Sequence, residues 1–146
     1  MNKSNNLTFL KGEYYHYQFL LKDREIQSTV SLFLLKYVSV ESFYKKLLVC
    51  EMEATGKVLT EKEKKNLRVD VRDVRRVLKY FDITCDNDLI ERVFGSNDTN
   101  YKNCSIKKLR DRLVHSVNEK SISAIIERYD KIDADLNTFM DQFSLS

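Results

Sequence analysis

Apolar residues recur at three- and four-residue steps along most of this chain, the signature of helices with one buried face. From Glu13 to about Tyr37 the series is Tyr17, Leu20, Leu21, Ile26, Val30, Phe33, Leu34 and Tyr37. A second helix follows, with Val40, Phe43, Tyr44, Leu47, Leu48 and Met52 as its apolar set and Ser39 or Ser42 as N-cap. Gly56 supplies the stop. One helix from Glu13 to Ala54 would be unusually long, so a break is placed at Val38-Ser39. Met1 to Gly12 is polar apart from Leu7, Phe9 and Leu10, and is expected to fray.

Thr60, followed by Glu61 and Glu63, reads as an N-cap with acid in the first turn. The helix it opens is expected to run to about Phe81, with Leu67, Val71, Val74, Leu78 and Phe81 as a narrow apolar stripe. Asp86 to Val93 forms a short helix ending at Gly95, and Ser96 to Cys104, with Asn97, Asp98, Asn100 and Asn103, is a loop by composition. Ser105 then caps a helix whose core face is Ile106, Leu109, Leu113 and Val117. From about Ser121 the last helix carries Ile122, Ile125, Tyr129, Ile132, Leu136, Phe139 and Phe143. The fold class expected is all-α: a single domain over residues 1–146, an antiparallel bundle of four long helices plus a short one.

Composition supports this. The 146 residues contain no proline and only three glycines, too few turn formers for a sheet protein. Cys50, Cys85 and Cys104 show no metal-ligand spacing and no even-numbered disulfide framework. Three reduced thiols fit a cytoplasmic protein. The longest apolar run, Leu32 to Leu35, is far short of a membrane span, and no secretory h-region opens the chain.

Charge changes the picture more. The net charge is +3, but Lys57–Asp82 holds nine basic and five acidic residues, and Tyr101–Ser121 holds six and two. Arg68, Arg72, Arg75 and Lys79 follow the apolar stripe one position later, and Arg76 widens the row. Such a row suits a phosphate backbone, although charge runs are as often plain solvated surface. Lys107 and Arg112 extend the basic character onto the next basic segment. Tyr14, Tyr15 and Tyr17 could stack on bases or serve a core or dimer contact.

The remaining chemistry sits at Arg110-Asp111-Arg112-Leu113-Val114-His115. Asp111 and His115, four apart, share a helix face, so the carboxylate is placed to fix the imidazole tautomer. Arg110 and His115 are five apart, about 140° around a regular helix and about 7.5 Å along it, too divergent to close on one phosphate. Metal-free RNA cleavage needs proton transfer at the 2′-hydroxyl and at the leaving 5′-oxygen, plus stabilised phosphate charge. Histidine and an arginine fork supply these. A two-fold dimer would present two copies of each around one cleft.

This hexapeptide resembles the R-x4–6-H motif of the HEPN superfamily (higher eukaryotes and prokaryotes nucleotide-binding), including the polar residue after its arginine. The resemblance implies a compact helical bundle, with the motif on a late helix at a homodimer interface and a final long helix, here Ile122 to Phe143, after it. It implies a metal-independent ribonuclease of toxin or antiviral type, with Arg110 and His115 as the catalytic pair and Asp111 in support. Products would carry 2′,3′-cyclic phosphate and 5′-hydroxyl ends. Many such ribonucleases are the toxin partner of a nucleotidyltransferase antitoxin.

No cofactor is expected, since no Walker loop, dinucleotide fingerprint or GxSxG elbow occurs. Glu13-Tyr14-Tyr15-His16 has the Glu-x-x-His spacing of di-iron bundles but lacks the second pair, so His16 is read as a core-edge residue and no metal is expected. Cys50 is read as a buried small hydrophobe. The rival function is a non-catalytic helical binding or adaptor module, antitoxin-like or phage-encoded, with Arg110 and His115 as interface or helix-end residues.

Overall fold

A computed structural model describes residues 2–96 and 99–143. The chain is all-helical, with seven helices among the described residues: α1 (Lys3–Leu20), α2 (Arg24–Ala54), α3 (Glu61–Lys65), α4 (Val71–Tyr80), α5 (Asn87–Phe94), α6 (Ile106–His115) and α7 (Glu119–Asp141). Asn97 and Asp98 of the expected loop lie outside the described residues.

Several caps stand where the sequence places them. Thr60 and Glu63 form a reciprocal capping box on α3. Ser105 Oγ accepts from Lys108 N at 3.1 Å, whereas Asp86, expected as the first residue of its helix, is the cap of α5. Beyond α2, Gly56 takes φ +95°, a left-handed conformation that a side chain would strain.

The helix boundaries differ in three places. Residues Lys3 to Gly12 are helical rather than frayed, because Asn2 caps them through Asn5 N. The break in the long N-terminal pattern falls at 21–23, not at Val38-Ser39. Asp23 Oδ1 accepts from Glu25 N and Ile26 N and starts a new helix, whereas Ser39 Oγ donates back to Leu35 O and lets α2 continue. The helix opened at Thr60 stops at Lys65. Residues 66–70 are non-helical, with Val69 buried, and Asp70 caps α4 afresh through Arg72 N.

Two long helices form the frame. α2 spans 31 residues and α7 spans 23, about 46 and 35 Å. An ion pair between Lys36 and Asp133 and a ring contact between Phe43 and Phe143 run in the same order along both, so α2 and α7 lie parallel. The all-helical bundle expected from the sequence is met, with helix lengths distributed differently from the expected four long helices plus a short one. The segment from α3 to α6 returns the chain as a crossover, and its helices α4, α5 and α6 pack against this pair. Among neighbours close in sequence, α6 and α7 do run antiparallel: Arg128 on α7 donates to Cys104 O just before α6.

The core is aromatic at its centre. Tyr37, Tyr44, Phe94 and Phe139 are almost fully buried, and Phe94 lies against each of the other three at 5.3 to 6.4 Å between ring centroids. Two buried carboxylates interrupt the apolar faces. Glu51 takes a two-point contact from Arg76, and Asp135 one from Arg92. α1 buries no residue, and Cys50 is exposed, with Cys104 the buried thiol. Among the described residues no helix is long and apolar enough to cross a membrane.

Candidate active site

α6 holds its polar residues in fixed directions because Ile106, Leu109 and Leu113 are buried on one side. Val117, expected to continue that face, is exposed, since the helix ends at His115 and the chain turns at Ser116. Asn118 fastens this turn, donating to Ser116 O at 2.9 Å and accepting from Ser121 N at 2.8 Å.

Arg110 points toward α2. Its Nη2 donates to Glu41 Oε2 at 3.0 Å, and its Nε lies 3.0 Å from Asp111 Oδ1 in an ion pair without hydrogen-bond alignment. The guanidinium also sits over the Tyr37 ring, 5.1 Å from its centroid. Lys45 completes the cluster, 2.9 Å from Glu41 Oε1. Burial first, and then the Glu41 carboxylate, push the Tyr37 phenol far above its ordinary range, so it stays neutral. Its hydroxyl faces Glu41 without hydrogen-bond alignment.

Burial acts to raise the Glu41 carboxyl as well, but Lys45, the Tyr37 hydroxyl and the Arg110 guanidinium outweigh it and hold the group below the ordinary carboxylate range. A depressed carboxylate stabilises the fold fully above its unfolded-state pKa, and loses that contribution as pH falls through the folded value. Wild type is therefore expected to lose stability below about pH 4 more steeply than Glu41→Gln. Urea midpoints measured across that range check this, and parallel curves for the two proteins would remove Glu41 from the acid response.

His115 faces away from Arg110. It is exposed and borders a shallow cavity of about 300 Å³ with Asp111, Lys108, Arg112 and Tyr101. Asp111 thus borders the cavity on one side and pairs with Arg110 on the other. No hydrogen bond joins Asp111 to His115. Arg112 lies over the Tyr101 ring at 4.6 Å and donates to Thr99 O at 2.6 Å, which holds the loop before α6 against the site. His16 is not a core-edge residue: it is exposed on α1, its Nε2 3.6 Å from Glu119 Oε2. Among the described residues no cluster of three or more histidine, cysteine or acidic side chains could hold a metal ion.

Of the expected basic row, Arg72, Arg75, Arg76 and Lys79 stand together on α4. Arg68 lies before α4 rather than on it. Arg75 is engaged by Asn87 and Glu91, and Arg76 by Glu51 and Asp73. Lys107 Nζ donates to Val69 O at 2.8 Å. Arg68, Arg72 and Lys79 are exposed and make no side-chain hydrogen bond or ion pair with described residues. Glu41, Tyr37 and Lys45 are the residues that sequence reasoning missed. The spacing of Tyr37 and Tyr44 marks a buried face on α2, but nothing along the chain joins residue 41 to residue 110.

No family model, curated protein or solved structure matches this chain.

Proposed function

We propose that the protein is a HEPN-type endoribonuclease that needs no metal and acts as a homodimer, with Arg110 and His115 as its catalytic pair and Asp111 supporting. One observation carries the reading. A regular, core-anchored helix presents an arginine paired with Asp111 and, on its other side, an exposed histidine at a cavity lined by Asp111 and further cations. In the reaction a base takes the 2′-hydroxyl proton, the 2′-oxygen bonds to phosphorus, and the bond from phosphorus to the 5′-oxygen breaks. An acid then protonates that oxygen, leaving 2′,3′-cyclic phosphate and 5′-hydroxyl ends. His115 serves the proton transfers, and an Arg110 fork the phosphate.

Because Arg110 turns to α2 while His115 faces the opposite side, one chain does not close both on one phosphate. A second copy supplies the missing group. Toxin or antiviral action in the cytoplasm, restrained by a nucleotidyltransferase-like antitoxin, is the setting this reading implies.

The second reading is a non-catalytic binding or adaptor module. It is favoured by the engagement of Arg110 with Glu41 and Asp111 inside the chain, as in a purely structural ion pair. Incubating the protein with RNA in EDTA, beside Arg110→Ala and His115→Ala, separates the two. Cleavage confined to wild type supports the nuclease. No cleavage, or equal cleavage by all three proteins, leaves the binding module.

A further inference from the structure

Two cations of the α4 row, Arg72 and Arg75, meet Lys107 of α6 at one recess. Where α4 begins and α6 begins, Arg72, Arg75 and Lys107 line one recess of about 300 Å³, together with Ser96, Asp70 and Glu91. Both carboxylates are already engaged. Asp70 Oδ1 accepts from the Arg72 backbone N–H at 2.8 Å, and Glu91 Oε1 from Arg75 Nη2 at 3.0 Å. Lys107 gives one hydrogen to Val69 O and, with three donors, keeps two. The Arg72 guanidinium has no partner among the described residues. Three cationic side chains thus face two carboxylates, and the surplus positive charge suits a phosphate oxyanion.

The recess is also aligned with the candidate active site. Lys107, Asp111 and His115 are spaced by four and form one ridge of α6. Lys107 opens into the recess, and Asp111 and His115 border the other cavity. Positions 107 and 115 lie about 12 Å apart along the helix axis.

We infer that the Arg72–Lys107 recess binds a phosphodiester of the RNA strand a few nucleotides from the bond cleaved at His115, and so sets where along the strand cleavage falls. This rests on the ribonuclease reading and adds a binding subsite to it. The arginine supplies a fork for two phosphate oxygens, and the lysine a point charge.

The test measures binding of single-stranded RNA oligonucleotides to the full chain carrying His115→Ala, by fluorescence anisotropy over a range of salt. Adding Arg72→Gln or Lys107→Gln is expected to weaken binding about tenfold. Each is also expected to flatten the slope of log affinity against log salt by about 0.7. Oligonucleotides carrying a single neutral methylphosphonate linkage locate the contact. One position should reproduce the loss, and that position should add nothing once Arg72 is replaced.

Unchanged affinity and slope in both variants would overturn the subsite and leave the nuclease reading standing. A loss spread evenly over all linkage positions would do the same. No RNA binding by the parent protein would remove both. Arg72 is exposed, so Arg72→Gln keeps the test valid if a thermal melt shows that Lys107→Gln does not fold.

Discussion

Phe139→Ala is expected to lower the unfolding free energy by about 3–5 kcal/mol. Phe139 is fully buried on α7 and meets Phe94 and Phe143 edge-on, each at 5.3 Å between ring centroids. Phe94 in turn touches Tyr37 and Tyr44 on α2, so one ring links α7, α5 and the α2 face that also carries Glu41. Deleting it removes a large buried area and leaves a cavity that two long parallel helices cannot easily collapse around. Urea unfolding followed by circular dichroism gives the value. A loss below about 1 kcal/mol would contradict this packing.

His115→Ala is expected to do the opposite: to reduce RNA cleavage by about two to four orders of magnitude, with stability within about 0.5 kcal/mol of wild type. His115 is exposed at the last position of α6 and makes no hydrogen bond or ion pair with described residues. Arg110→Ala is a less clean probe. Arg110 is half-buried and partners Glu41, so its removal leaves that carboxylate to Lys45 and the Tyr37 hydroxyl and costs stability as well as chemistry. Measuring melting and cleavage on the same preparations separates these effects. A His115→Ala protein that melts far below wild type would make the histidine a structural residue.

Local chemistry made much of the fold legible. Thr60 with Glu63, Ser105 and Gly56 each act within a few residues of themselves, so their roles can be read without tertiary structure. Breaks within a continuous apolar rhythm were not legible. Leu67, Val71, Val74 and Leu78 keep helical spacing across a non-helical stretch that ends at Asp70, and Leu20, Leu21 and Ile26 do the same across the Asp23 cap. In both places an aspartate restarts the helix, and a side-chain acceptor decides what periodicity alone does not.

Long-range ion pairs were equally hidden. Glu41–Arg110, Glu51–Arg76 and Asp135–Arg92 join residues 69, 25 and 43 positions apart. One partial signal existed. Glu51 follows Tyr44 and Leu48 on the buried face of α2, and a carboxylate on such a stripe requires a cation. At the site, the directions of Arg110 and His115 followed from helix geometry. The capture of Arg110 by Glu41 did not, because it depends on α2 passing beside α6.

α1 has a consequence of a different kind. A helix of 18 residues that contributes no buried side chain draws little from tertiary packing and is marginal on its own in water. It behaves as an appended arm whose order can come and go while the bundle behind Asp23 persists. Dilute protease should therefore cut first within residues 3–22, and the fragment beginning near Arg24 should melt within a few degrees of the full chain.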